Sequence, residues 1–320
     1  MSIALVGDIG GTNARFALWR DQKLESIRVM QTAAHANPEA AIRAYLDEVG
    51  QPVDSLRAVC LACAGPVEGE EFRFTNNHWR LSRRAFCEDL GLAELLLIND
   101  FSAMALGMTR LHEGERVTVC EGEPEAGRAR LVIGPGTGLG VATLLPLDGV
   151  GWRALPGEGG HVCLPVGSAR EAALWGLLHE ELGHVNAEAV LSGSGLLRLY
   201  RTCSRLDGRK AELESAAQVT EAALAGEPYA AQVLQQFCIW LGRIAGDNVL
   251  TTGARGGVYI VGGIVPRFVD FFLGSGFRES FCDKGFMMPY FERIPVWLVT
   301  AEYPGLEGAG VALQQRLEGA

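Results

Sequence analysis

Asp100 follows Asn99 at the point where an apolar run, Leu95-Leu96-Leu97-Ile98, gives way to Phe101-Ser102-Ala103-Met104-Ala105-Leu106. The run reads as a short buried strand and the residues after it as a helix, with Asn99 near the N-cap and Asp100 in the first turn. A helix N-terminus offers unpaired N–H groups and the positive end of the macrodipole, which favour an ionised carboxylate. At the carboxyl end of a buried strand such a carboxylate is placed to act as a general base. The same residues also describe a capped helix with no chemistry, and on these residues alone that is the commoner case.

A second carboxylate, Asp8, sits in the stretch Gly7-Asp8-Ile9-Gly10-Gly11-Thr12-Asn13-Ala14-Arg15. Gly10 and Gly11 have no side chains to stop backbone N–H groups converging on an anion, Thr12 and Asn13 add donors, and Asp8 ends a strand. Together these could hold a polyphosphate and a divalent cation. Taken alone, the stretch equally describes an ordinary hairpin turn with a solvated Asp. The Gly-x-x-x-x-Gly-Lys-Ser/Thr pattern is absent, since the only lysines are Lys23, Lys210 and Lys284, and nothing here matches Gly-x-Gly-x-x-Gly opening a helix.

Comparable turns recur. Gly134-Pro135-Gly136-Thr137-Gly138-Leu139-Gly140 follows the apolar run 130–133 and leads into 141–147, repeating the strand–turn–strand plan of residues 3–19. Two such hairpins, one in each of two domains, would clamp a nucleotide's phosphates. Gly262-Gly263 follows Val258-Tyr259-Ile260-Val261, where paired glycines would let a flat purine or ribose approach the backbone. Leu155-Pro156-Gly157-Glu158-Gly159-Gly160-His161 has too many glycines for a helix or an ordinary strand. Glu158 and His161 there would be a carboxylate acceptor and a ring donor or acceptor suited to sugar hydroxyls; the alternative for His161 is a satisfied structural histidine.

The elements that must position these groups follow from periodicity and caps. Residues 3–6 and 15–19 read as a hairpin, 38–49 as a helix stopped by Gly50, and 58–64 as a buried strand ending in Gly65-Pro66-Val67. Asn76-Asn77-His78-Trp79 could face a ligand or solvent. Ser82 caps a helix through Leu90 that Gly91 closes, and Ser168 with Glu171 forms a capping box on a helix reaching Leu182. Further helices are expected over 215–224, 228–251 and 308–317, the last packing back on the first domain, with a strand over 295–300. The Glu-, Gly- and Pro-rich stretch 111–130 reads as the hinge, so a small α/β domain, 1–110 completed by 301–320, precedes a large one over 111–300.

Composition narrows the class. A chain of 320 residues, 48% of them hydrophobic, with mean hydropathy +0.14, can bury two cores. A net charge of −10 without any Lys/Arg run argues against nucleic acid. No basic, cleavable leader and no run of about 20 apolar residues is present, which points to a cytoplasmic protein with no membrane association. The eight cysteines are scattered rather than clustered. Cys60 and Cys63 lie in a strand whose alternation sends them to opposite faces, which disfavours redox or metal use. His161 and Cys163 have no second ligand pair nearby, so a zinc site is also disfavoured.

The order Asp8…Gly11-Thr12, Asn99-Asp100, Gly134…Gly138, Glu158…His161, Gly262-Gly263 resembles the superfold shared by actin, hexokinase and heat-shock chaperones. Within it the chain resembles the bacterial glucokinase family over nearly its whole length, including Gly183-His184-Val185 and Val190-Leu191-Ser192-Gly193 around Glu188. The resemblance implies a two-domain actin-like ATPase fold (hexokinase-type, ribonuclease H-like, α/β) with an interdomain active-site cleft. It implies ATP-dependent phosphorylation of the 6-hydroxyl of glucose, the first step of glycolysis. Asp100 would take the hydroxyl proton, Asn99, Glu158, His161 and Glu188 would bind the other hydroxyls, and Asp8 would help place Mg²⁺. Gly7, Ile9, Gly10, Gly11 and Thr12, with Gly136, Thr137 and Gly138, would hold the nucleotide's phosphates, and Gly262 and Gly263 would border the adenosine. A homodimer is implied by the resemblance alone. The related repressor and kinase group carries a Cys-rich zinc motif after its sugar-binding histidine; here Val162-Cys163-Leu164-Pro165 follows His161 instead. Other readings are a kinase for mannose or fructose, a sugar-responsive regulator, or a nucleotide-driven chaperone or filament protein. Asp100 separates them, because a pure sensor needs no base at the transferred hydroxyl.

Overall fold

The computed structural model describes residues 3–65, 67–75, 77–147 and 151–319. Pro66 and Asn76, both within stretches singled out above, lie outside them. The chain separates into two compact units, Met1–His112 with Leu147–Pro156 and Ala301–Ala320, and Glu113–Pro146 with Gly157–Thr300.

In the first unit, β1 (Ile3–Ile9), β2 (Asn13–Arg20) and β3 (Lys23–Gln31) form an antiparallel meander; α1 (Pro38–Glu48) leads to β4 (Leu56–Cys63). A short antiparallel pair, β5 (Glu71–Arg73) and β6 (Arg80–Ser82), precedes α2 (Arg83–Leu90), β7 (Glu94–Asn99) and α3 (Asp100–Gly107). The main sheet runs β3-β2-β1-β4-β7, with β1, β4 and β7 parallel. Alternation places Leu5, Ile9, Val59, Leu61 and Cys63 in one core with Ile42, Tyr45, Trp79 and Phe86. Cys60, also fully buried, lies outside that cluster, so the two thiols do face opposite ways. Burial pushes both thiols well up, leaving them unreactive.

The other face of this unit depends on a close helix crossing. The C-terminal helix, Pro304–Glu318, packs on α3, and a Cβ added to Gly308 would lie 1.6 Å from the carbonyl oxygen of Ala103. Backbone meets backbone there because no side chain intervenes. The helix begins with Pro304 at its first turn, four residues earlier than periodicity indicates, since Pro is tolerated where the N–H has no intrahelical partner.

In the second unit, β8 (Arg116–Cys120) comes from the stretch read as a hinge, and β9 (Arg130–Pro135) and β10 (Leu139–Leu147) form the second hairpin; β11 (Gly151–Gly157), which follows in the chain, belongs to the first unit up to Pro156. That last strand corrects the expectation that residues from Leu155 avoid extended structure. The glycines cluster only from Gly157 onward, and Trp152 and Ala154 alternate in burial with exposed neighbours as a strand requires. Helices α4 (Ala169–Leu182), α5 (Gly193–Leu206), α6 (Ala216–Leu224) and α7 (Pro228–Thr252) follow, then β12 (Val258–Ile260), α8 (Val269–Leu273), α9 (Phe277–Cys282), α10 (Met288–Phe291), β13 (Val296–Val299) and the C-terminal helix as α11. Strands β10, β9, β12, β13 and β8 lie side by side in that order. The core gathers Leu131, Ile133 and Ile260 with Phe237, Trp240 and Phe281. The linear division differs from the two units at Leu147–Pro156, which groups with the first; the Trp152 carbonyl accepts from Gln315 Nε2 of α11 at 2.8 Å. The capping box on α4 forms only by half: Ser168 Oγ accepts from Glu171 N, but the Glu171 carboxylate accepts from Gly167 N and meets Arg243 instead.

Gly308→Ala should destabilise by about 3 kcal/mol or more in urea unfolding, because α3 and α11 must separate. Gly176→Ala, inside α4 with open space where the Cβ would go, should stabilise by roughly 0.5–1 kcal/mol. Equal effects would mean the crossing is not close-packed.

Candidate active site

In the first unit the parallel register aligns Ile9, Cys63 and Asn99, so β1, β4 and β7 end level with one another. Asp8 and Asp100 therefore share one end of the sheet, where ligands bind in open α/β folds. Asn99 is the N-cap of α3: its Oδ1 accepts from Ser102 N at 3.0 Å, and its Nδ2 donates to Asp100 Oδ1 at 3.1 Å. Asp100 Oδ1 also accepts from Phe101 N at 2.8 Å. One residue thus caps the helix and orients the carboxylate beside it.

Asp8 faces Arg15 across the hairpin, with Arg15 Nη1 3.4 Å from Oδ2. Its carboxyl titrates above the ordinary value, first through desolvation and further through the charge of Asp100, with Arg15 opposing. Gly305, in the first turn of α11, approaches so closely that a Cβ there would lie 3.4 Å from Asp8 Oδ2. The turn itself is held by its carbonyls. Gly10 O accepts from Asn77 Nδ2 at 3.0 Å, while Gly11 O and Thr12 O accept from Thr32 Oγ1 at 2.8 and 3.0 Å. Gly10 N donates to Asn13 O at 2.9 Å. Gly7 and Ile9 are buried, Gly7 between Leu61 and Phe16, so they can offer a ligand only backbone. The stretch 76–79 divides: Asn77 serves this turn, while Trp79 is fully buried with its indole N–H on His35 O.

In the second unit, Gly136 and Thr137 line a cavity of about 560 Å³ together with Thr220, Glu221, Gly263 and Arg267. Gly136 N donates to Gly138 O, and Gly136 O accepts from Gly193 N at the start of α5, which ties the turn to that helix. Gly262 does not line the cavity but lies against the end of β9: its φ is +91°, and a Cβ would lie 2.5 Å from Pro135 O.

A second cluster adjoins that turn. Glu188 Oε2 accepts from Leu139 N at 2.8 Å and lies against Gly138. Residues 160–164 run alongside 185–188: Leu164 N donates to Val185 O, Ala187 N to Val162 O and Glu188 N to Gly160 O. Gly160 must be a glycine because a Cβ would meet the Leu139 carbonyl oxygen at 1.9 Å. This pairing brings Glu158, His161 and Glu188 together, with Glu158 Oε2 3.7 Å from His161 Nε2. His161 Nδ1 lies 3.1 Å from Asn186 Nδ2. Glu158 and His161 are both exposed, so His161 is not a buried structural histidine.

Sequence reasoning passed over Thr32, Gly305, Thr220 and Asn186, and left Asn77 in a stretch that could face either a ligand or solvent. Only Asn186 carried a local signal, as a capping residue before Ala187-Glu188-Ala189. The others act across long sequence separations.

The family model described as Glucokinase matches residues 5–316. A glucokinase of Pseudomonas aeruginosa (strain LESB58) is 57% identical over 317 residues, covering 99% of this chain and 96% of that one. Among solved structures, glucokinase from an Antarctic psychrotroph superposes with a TM-score of 0.89 at 36% identity, covering 98% of this chain and 99% of that one. Glucokinase from Balamuthia mandrillaris, solved in complex with glucose, shares the fold at a TM-score of 0.76 and 24% identity, with 98% and 94% covered. With the family model matched over residues 5–316 and a relative 57% identical over 99% of its length, the chain belongs to the glucokinase family.

Proposed function

We propose that the chain transfers the γ-phosphoryl group of ATP to the 6-hydroxyl of D-glucose, with Asp100 as general base. The observation that carries this reading is the carboxylate of Asp100, oriented by Asn99 Nδ2 and Phe101 N at the N-terminus of α3. The sugar O6 forms a bond to the γ-phosphorus as the bond to the β–γ bridging oxygen breaks, ADP leaves, and the O6 proton passes to Asp100. Phosphoryl transfer needs alignment and charge neutralisation more than covalent help, and a base contributes roughly 10²–10⁴-fold.

Asn99, Glu158, His161 and Glu188 bind the remaining hydroxyls in this reading, with carboxylates accepting and the imidazole and amide donating. Gly11 and Thr12, and Thr137 and Gly138, face phosphates with backbone N–H groups, while Gly10 and Gly136, whose N–H groups bond within their own turns, let the backbone come close. Gly7 and Ile9 contribute backbone to the first turn. Gly263, with Gly262 before it in the chain, borders the adenosine in the cavity lined by Thr220 and Arg267. Asp8 fits a hard divalent cation, since among the described residues Arg15 is the one positive charge set against its partly buried carboxylate. Mg²⁺ held through Asp8 would supply neutralising charge to the phosphates.

Among the described residues no helix is long and apolar enough to cross a membrane. A cytoplasmic location and a homodimer belong to the same proposal and rest on the family resemblance; the mass in solution tests the dimer.

ADP release with ATP and Mg²⁺ should depend on glucose far more than on mannose, fructose, glucosamine or N-acetylmannosamine. Asp100→Asn should lower kcat by roughly 10²–10⁴-fold while glucose affinity stays within about tenfold. Loss of binding together with activity would make Asp100 structural.

Asp8 gives a pH prediction. Its folded-state pKa lies above the ordinary 3.8, so ionising it costs stability. That cost is absent below the unfolded value, grows as pH rises and is complete above the folded value. Metal-free Asp8→Asn should therefore melt no lower than the parent at pH 7, with its relative advantage shrinking towards pH 4, while turnover collapses. A melting point well below the parent at pH 7 would show that the Arg15 pair outweighs desolvation.

A further inference from the structure

Donor and acceptor roles around Asn186 follow by elimination. Asn186 is the N-cap of the 3₁₀ turn Ala187–Ala189, and Ala189 N donates to its Oδ1 at 2.9 Å. A backbone N–H can only donate, so the carboxamide atom facing it is the oxygen and the other is the NH₂ group. That NH₂ lies 3.1 Å from Nδ1 of His161. Being a donor, it requires Nδ1 to accept, which leaves the ring proton on Nε2. Nε2 is the nitrogen facing the Glu158 carboxylate at 3.7 Å. The backbone fixes this arrangement from both sides, through the bridge between Cys163 and Asn186 and the bonds from Ala187 N to Val162 O and from Glu188 N to Gly160 O.

We propose that Asn186 is a positioning residue that locks His161 in the Nε2–H tautomer, placing one donor beside one acceptor for sugar hydroxyls. The inference rests on the sugar-kinase reading above and deepens it. A hydroxyl held by this pair donates to the Glu158 carboxylate and accepts from His161 Nε2–H. In the opposite tautomer Nε2 would present a lone pair next to the carboxylate. Two acceptors would then compete for one hydroxyl proton, and the hydroxyl oxygen would lose its donor. Asn186 touches no sugar in this scheme; it acts through the ring, and its cap also holds the turn that carries Glu188.

Asn186→Asp isolates the effect. The near-isosteric carboxylate keeps one oxygen on Ala189 N–H, but turns a second acceptor towards Nδ1, so the single proton of the neutral ring moves from Nε2 to Nδ1. Long-range ¹H–¹⁵N spectra of the sugar-free protein should show Nε2–H in the parent and a protonated Nδ1 in the variant. Glucose KM should rise at least about tenfold, the loss of one good hydrogen bond, with little change in kcat or in the KM for ATP. Asn186→Ser keeps a capping oxygen and releases the ring, so it should show mixed tautomers and an intermediate glucose KM; it also carries the test if the Asp variant does not fold. A parent spectrum with Nδ1–H, or an Asp variant with unchanged glucose KM, overturns the proposal. A parent that phosphorylates no sugar overturns the kinase reading instead, while the tautomer is still read without sugar.

Discussion

A strand buried on both faces has no room for polar side chains, so whatever chemistry it serves must sit at its ends. That constraint shapes both units. In β4 seven of eight residues are buried, and β9, β12 and β13 are buried almost throughout. The residues of the candidate site appear where ladders stop: Asn99 as the last residue of β7 with Asp100 next, Gly136 and Thr137 after β9, and Gly262 and Gly263 after β12. Because β1, β4 and β7 run parallel and in register, their ends are level, and the carboxylates of Asp8 and Asp100 are close enough for one to raise the pKa of the other.

Around these strand ends, backbone groups do most of the positioning. Thr32 and Asn77 hold the carbonyls of the first glycine turn, and Gly193 N holds the carbonyl of Gly136 in the second. Carbonyls engaged from outside leave a turn stiff, which suits a site that must align phosphates. The glycines that matter most are those where another backbone occupies the space of a Cβ, as at Gly160 against Leu139 and Gly308 against Ala103. They permit close approach, and the approach brings the residues of the site together.

Polar groups in the second unit are used twice. Glu188, proposed above as a sugar ligand, also accepts the amide of Leu139 beside the turn that lines the cavity. Asn186 caps a turn and holds a histidine. Asn186 has both a local and a distant partner, so removing it disturbs two segments, and double-mutant coupling with His161 is the natural expectation.

The local grammar was legible in the sequence. Caps at Ser82, Asn99 and Ser168, the closing glycine at Gly91, and the period of α7 all depend on residues within a turn or two of each other. The glycine turns after strands and the order of their carboxylates were legible for the same reason, and that order carried the family resemblance. Tertiary structure alone decided which distant atoms meet. Asn77 reaches Gly10 across 67 residues, Glu188 reaches Leu139 across 49 and Asn186 reaches His161 across 25. Periodicity reports which face of an element is buried, and caps report where it starts; neither encodes the partner. Partners are selected when whole segments pack, as when 160–164 align with 185–188 or α11 settles on α3, and only then do single hydrogen bonds acquire their roles.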